Sequence, residues 1–184
     1  MQMSSSIFFM SSNKNKFHEA KNVMAKFGLS LKFFKYNLEE IQGDSIEEIA
    51  KHKVTQAFSI CSRPVMVEDD GLFIKSLKGF PGPYSSFVFD TIGNKGILKL
   101  LSKQRTATFR STIAYCENVE NIHIFEGAVN GKISNKEIGN RWGFDPIFIP
   151  DGKNRTFSQL HEKNQVSHRY IALKKFANWY QHKK

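Results

Sequence analysis

Cysteine is scarce, with Cys61 and Cys116 the only two in 184 residues. They allow at most one bridge and lack the C-x-x-C spacing of a zinc or redox site, so both are expected to be reduced and buried. No apolar run approaches the roughly 18 residues a membrane helix needs, and residues 7–10 are too short for a secretory h-region. No membrane partner and a cytoplasmic address are therefore expected. Nothing repeats at a fixed period, and apart from the Ser-rich residues 4–6 no Pro-, Gly- or Ser-rich linker divides the chain, which excludes solenoids and strings of modules. Acid is in short supply: 17 Asp plus Glu face 27 Lys plus Arg, a formal net charge of +10. Such a molecule attracts polyanions, namely nucleic acid, anionic membrane or phosphorylated small molecules. The basic residues are scattered, with only short runs such as Lys174-Lys175 and Lys183-Lys184, so a nucleic-acid-binding arm is poorly supported.

What remains is ordinary globular composition, 40% hydrophobic and 24% charged, in a length that suits one domain. One domain over residues 1–184 is expected, with 1–6 and 181–184 frayed. The pattern predicts a strand at 7–10, a helix from the Ser11-Ser12-Asn13 cap to about Phe27, and a strand at 31–36. Ser45 and Glu48 form a capping-box signal for a second helix, followed by strands at 65–68 and 72–77. A helix near 95–101, strands near 107–116 and 122–129, a Gly-, Pro- and Asp-rich stretch at 139–155 and a last helix at 167–180 complete the chain. Strand alternating with helix points to α/β architecture: a mixed sheet flanked by helices.

Five segments carry chemistry. In Ser11-Ser12-Asn13-Lys14-Asn15-Lys16, a strand-to-helix turn offers free N–H groups, small polar side chains and a lysine one turn in, which suits a phosphate; the plain alternative is a capped surface helix. Glu68-Asp69-Asp70-Gly71 sets three carboxylates at the expected end of an apolar strand, where a cation or proton must offset their repulsion. The 38–43 loop offers Glu40 as a further carboxylate. Lys53, on the inner face of the second helix, needs an anion if buried and otherwise snorkels to solvent. Trp142-Gly143-Phe144-Asp145-Pro146 brackets a glycine with two aromatic faces, fit to stack on a base or simply to fill the core. Lys163, His168 and Arg169 crowd the start of the last helix, an unfavourable place for cations unless an acceptor-rich ligand compensates.

In this order the segments resemble the inosine triphosphate pyrophosphatase (Ham-like) family, from residue 7 to about residue 180. Ser11-x-Asn13-x-x-Lys16 is similar to its triphosphate turn and Val67-Glu68-Asp69-Asp70-Gly71-Leu72 to its acidic strand. Gly79-Phe80-Pro81-Gly82-Pro83-Tyr84-Ser85, Trp142-Gly143-Phe144-Asp145-Pro146-Ile147-Phe148, Thr156-Phe157 and Ser167-His168-Arg169 complete the match. The resemblance implies a long mixed sheet with two lobes around a cleft, a homodimer, and Mg²⁺-dependent cleavage of ITP, dITP or XTP between the α and β phosphates. Two departures stand out: Ser12 where the family commonly has glycine, and Asp70 where it has a small residue.

The implied roles follow. Lys16, Lys53, Ser11 and Asn13 would hold the triphosphate, Glu40, Glu68 or Asp69 would hold Mg²⁺, and Asp69 would orient or deprotonate the attacking water. Lys163, His168 and Arg169 would donate to a 6-keto purine and disfavour adenine, with Trp142 and Phe144 as stacking faces and Asp145 receiving an N–H. Rejection of guanine requires either steric exclusion or an unpaired 2-amino group. Two rivals are a Maf-like pyrophosphatase acting on other modified nucleotides and a basic nucleic-acid-binding α/β protein. The second leaves the adjacent carboxylates unexplained, since they repel phosphates unless a metal intervenes.

Overall fold

The computed structural model describes residues 7–118 and 120–183. The expected fraying of residues 1–6 and of Lys184 lies outside the described residues. A first strand β1 (Ile7–Ser11) leads through helix α1 (Lys14–Ala25) to β2 (Leu31–Lys35), and helix α2 (Ile46–Cys61) leads on to β3 (Val65–Ile74). A 3-10 turn and the two-residue β4 (Pro81–Gly82) precede helices α3 (Ser85–Thr91) and α4 (Gly93–Leu100). The long hairpin β5 (Thr106–Asn118) and β6 (Asn121–Ile133), the short β7 (Phe148–Pro150) and helices α5 (Lys163–Val166) and α6 (His168–His182) close the chain. The sheet runs β2-β1-β3-β5-β6-β7, with β4 also on β3; β1 is parallel to β2 and β3, and the other pairs are antiparallel. This is the mixed sheet flanked by helices that the sequence pattern predicts.

Strand alternation sorts the core into two layers. Phe9, Met66, Ile113 and Tyr115 face α1 and α6, where Phe17, Met24, Leu173 and Phe176 fill the space. Met10, Val65, Val67, Ala114 and Cys116 face the opposite way, against Ala50, Val54 and Ala57 of α2. A third cluster, with Leu72, Ile74, Phe109, Phe144, Phe148 and Phe157, fills the other half of the molecule beneath α3 and α4. Among the described residues no helix is long and apolar enough to cross a membrane.

The structure departs from the sequence expectation at several points. The strands expected at 65–68 and 72–77 are one ten-residue strand, so Glu68, Asp69 and Asp70 lie in its middle rather than at its end. They pair with β5, opposite Ile113, Thr112 and Ser111. The ladder from β1 stops at Met66, so among the described residues the acidic stretch has no strand partner on that side, and Glu68, Asp69 and Asp70 line a cleft. Gly71 permits the adjoining approach of β4, since a Cβ there would sit 2.5 Å from the Gly82 carbonyl oxygen. Helix α3 went unpredicted because the Gly- and Pro-rich loop ahead of it dominates that pattern. Cys61 is half-buried rather than buried, and both thiols are free. The final helix reaches His182, where Gln181 donates to the Phe27 carbonyl at 2.9 Å and holds the last turn.

Candidate active site

Each element delivers its side chains to one place. Asn13 caps α1 by accepting from the N–H groups of Asn15 (2.9 Å) and Lys16 (3.3 Å), while Ser11 Oγ accepts from Asn13 N at 3.1 Å. The turn is thus a true helix cap, and it also aims Lys16 at the cleft. Alternation along β3 then splits the three acids between two faces. Asp69 points with Val67 toward α2, where Lys53 donates to it at 3.0 Å. Glu68 and Asp70 point toward α6 and meet Arg169. The 38–43 loop is fixed by Leu38 in the core and by a 2.9 Å bond from Glu39 N to Gln56, which brings Glu40 within 2.6 Å of Lys53 Nζ. Lys53 does not snorkel; it is buried between two carboxylates.

On the α6 side of the cleft Arg169 is fully buried and surrounded by acid. Its Nε donates to both Glu68 oxygens at 2.8 Å, Nη1 to Glu19 at 2.5 Å and Nη2 to Asp70 at 2.6 Å. Glu19 also accepts from Lys163 (2.8 and 3.0 Å) and from the Trp142 indole (3.0 Å). Lys163 Nζ lies 2.7 Å from Asp145 Oδ2, an ion pair rather than a well-directed hydrogen bond. Arg169 and Lys163 both lie over the Trp142 ring, 5.2 and 5.5 Å from its centroid. His168 stacks on Phe109 with centroids 3.9 Å apart, and neither of its buried ring nitrogens has a partner.

All thirteen residues singled out in the sequence line one cavity of about 480 Å³, from Ser11, Asn13, Lys16, Glu40 and Lys53 through Glu68 and Asp69 to Trp142, Phe144, Asp145, Lys163, His168 and Arg169. The Ham1 family signature matches residues 7–179. The chain belongs to the Ham1 family. It is 45% identical to proteins named dITP/XTP pyrophosphatase from Methanopyrus kandleri and Methanothermobacter marburgensis, over 179 residues that cover 95% of each chain. A HAM1 protein from Coxiella burnetii superposes with a TM-score of 0.83 at 28% identity, covering 97% of this chain and 99% of that one.

Within this Ham1 cleft some residues stand where expected but are committed otherwise. Glu68, expected among the metal ligands, shares the Arg169 Nε–H between its two oxygens and accepts from Ser111 on Oε1 at 2.8 Å, so it is tied to Arg169 as well as facing the cavity. Phe144 is buried with its ring edge-on to Phe89 and Phe109, so it walls the cavity instead of offering an open stacking face. Arg169 and Lys163 are ion-paired rather than idle donors. The sequence reading missed Glu19, the hub of this network and the one acid of α1. Its available signal was the i, i+3 spacing from Lys16, which puts both on one helix face.

The titrations follow from this packing. Burial raises the Asp69 pKa above the ordinary carboxylate value and outweighs the opposing pull of Lys53 and Lys16. Burial likewise raises Asp145, against the opposing Lys163. Glu19 goes the other way: burial alone would raise it, but Arg169 and Lys163 hold it at about 2. Burial, reinforced by Arg169, keeps the His168 pKa well below its usual value and the ring neutral.

The local charge is opposite to that of the whole molecule. Lys16, Lys53, Lys163 and Arg169 face six carboxylates in the cavity wall: Glu40, Glu68, Asp69, Asp70, Asp90 and Asp145. The +10 surplus therefore lies elsewhere on the surface. Among the described residues no group of three or more His, Cys, Asp or Glu is arranged as a metal cage. Glu40 and Asp69, two oxygen donors sharing one lysine, fit the way Mg²⁺ binds through one or two carboxylates plus substrate phosphates.

Proposed function

We propose that this chain hydrolyses deaminated purine nucleoside triphosphates, ITP, dITP and XTP, between the α and β phosphates to the nucleoside monophosphate and pyrophosphate. The observation that carries the reading is the shared cavity, whose wall holds Lys16, Lys53 and a buried carboxylate of raised pKa, Asp69, together with an unpartnered neutral histidine, His168. The dITP/XTP pyrophosphatase names of relatives that span nearly the whole chain support the same substrate class.

Lys16 and Lys53 hold the phosphates through charge-assisted hydrogen bonds. Asp69, positioned by Lys53, orients a water and takes its proton as the oxygen attacks the α-phosphorus and pyrophosphate leaves. Mg²⁺, held by Glu40 and Asp69, would supply Lewis-acid polarisation and charge neutralisation for the leaving group. His168 answers the base: with its N–H turned to the base the neutral ring donates to a 6-keto oxygen, and a 6-amino group would have to find the ring's other, accepting nitrogen. Trp142, with its indole N–H fixed on Glu19, offers the stacking face.

We also propose a homodimer and the cytoplasmic nucleotide pool as its place of work. Phe80, Tyr84, Phe87, Ile92 and Leu100, large apolar side chains left exposed between residues 80 and 100, support self-association.

Pyrophosphate release from ITP, XTP, dITP, GTP and ATP, with Mg²⁺ and with EDTA, tests the reading, alongside oligonucleotide binding. Metal-dependent release confined to the deaminated purines is expected. Release from a pyrimidine or other modified nucleotide instead would favour the Maf-like alternative, and salt-sensitive oligonucleotide binding without release would favour a nucleic-acid-binding protein.

A further inference from the structure

Asp70 sits on the same face of β3 as Glu68, and its two oxygens reach in different directions. One lies 3.2 Å from Lys16 Nζ, the other 2.6 Å from Arg169 Nη2. The two cations depend on it unequally. Arg169 keeps its place without Asp70, since Glu68 grips Nε with both oxygens and Glu19 takes Nη1. Lys16 does not: among the described residues Asp70 is the only carboxylate within ion-pair distance of its Nζ. A carboxylate thus rests on the lysine that the proposed reading gives to the phosphates, in a cavity wall where acids already outnumber cations.

We propose that Asp70 is an internal competitor of the substrate, its carboxylate standing in for phosphate on Lys16 in the free protein and having to yield that lysine when a polyphosphate enters. The inference rests on the phosphate-binding role of Lys16 in the reading above. Two like charges cannot share one ammonium without repulsion, so the bound phosphate must displace Asp70 or accept a weaker hold. Asp70 then keeps its second bond, to Arg169. It is a positioning residue that weakens binding of substrate and product alike, so the same contact that slows capture speeds release of pyrophosphate.

The test compares wild type with Asp70→Asn, which keeps the shape and removes the charge, and with Asp70→Ser as a smaller second variant. Equilibrium binding of inorganic pyrophosphate is measured by calorimetry, and KM and kcat for ITP by steady-state kinetics. Pyrophosphate affinity is expected to rise and KM for ITP to fall, each by about five- to tenfold, the size of roughly one removed charge contact. Asp70→Glu, which retains the charge, is expected to stay near wild type. A merely structural role for Asp70 predicts unchanged or weaker binding, and that result in both charge-removing variants overturns the proposal. Should wild type bind pyrophosphate yet not hydrolyse ITP, the functional reading fails while tighter binding by Asp70→Asn still upholds the competitor; wild type that hydrolyses ITP without tighter binding in either variant refutes the competitor alone.

Discussion

Lys53 Nζ lies 2.6 Å from Glu40 and 3.0 Å from Asp69, so one buried ammonium of α2 joins a loop carboxylate to the middle of β3. The arrangement fixes Asp69 by a side chain of the opposite charge while burial raises its pKa. Asp69→Asn keeps the volume and loses the base. It is expected to reduce kcat for ITP by two or more powers of ten while nucleotide still binds, as measured by single-turnover kinetics and calorimetry. Full turnover in this variant would remove Asp69 from the chemistry.

The same carboxylate sets the acid limb of activity. Asp69 acts ionised, so kcat/KM should fall as pH drops through its pKa, at a pH above that of an ordinary aspartate. Lys53 and Lys16 both lower that pKa against the larger effect of burial. Lys53→Met therefore moves the acid limb to still higher pH, besides lowering the rate. A pH–rate profile of the two proteins reads the direction, and a limb that moves to lower pH contradicts the assignment.

Spacing made much of this site legible. The turn after β1, the acids of β3 and the donors at the start of α6 are each local patterns, and each lines the cavity as expected. Glu19 was barely legible, because its one local cue is the i, i+3 spacing from Lys16, while its three partners come from segments more than 120 residues away. Nor could spacing tell that Glu68 serves Arg169, or that Phe144 belongs to the wall, since both follow from how β3, β5 and α6 pack. The net charge misled in sign: a surplus counted over the whole chain says nothing of a cleft where the acids prevail. The long β3 was divided because Glu68, Asp69 and Asp70 read as the end of an apolar strand, whereas in the fold they continue its pairing with β5 and buried cations compensate their charge.

His168 offers a test of base recognition free of the ion-pair network. Its ring lies flat on Phe109 and both nitrogens are unpartnered and buried. Arg169→Ala, by contrast, would leave Glu68 buried without its partner, a loss of the kind that costs about 3–5 kcal/mol and obscures any effect on the base. His168→Phe keeps the stack and removes the polar atoms. It is expected to raise KM for ITP and XTP by about tenfold, to narrow the preference over ATP, and to leave stability equal or higher because two unpartnered nitrogens are gone. An unchanged ITP to ATP ratio would place base reading elsewhere.

Glu19 links the site to acid stability. Its pKa falls from 4.5 to about 2 on folding. The folded chain therefore holds the charged form more strongly, so the stabilisation is complete above the unfolded value and is lost as pH falls through about 2. A shift of that size corresponds to on the order of 3 kcal/mol. Glu19→Gln should be less stable than wild type in urea at pH 7, with the difference shrinking between pH 4.5 and 2. A difference that stays constant over that window would mean Glu19 contributes by packing and not by charge.

Gly127 tests whether the placement of α6 sets selectivity. This β6 glycine lies under the first turn of α6, and a Cβ there would sit 2.1 Å from the His168 carbonyl oxygen and 2.6 Å from the Ala172 amide nitrogen. Both obstacles are backbone, so no rotamer change relieves the clash and the helix itself must move, carrying His168 and Arg169 with it. Gly127→Ala is expected to cost about 1–3 kcal/mol, the usual range for overpacking, and also to raise KM for ITP and lower the ITP to ATP ratio. Gly131→Ala on the same strand is the control, because its Cβ would meet the Ile149 carbonyl at 2.2 Å, on the β7 side. Thermal melts should show both variants destabilised, while only Gly127→Ala changes discrimination; equal loss of selectivity in the two would mean that general destabilisation, not the seat of α6, governs base recognition.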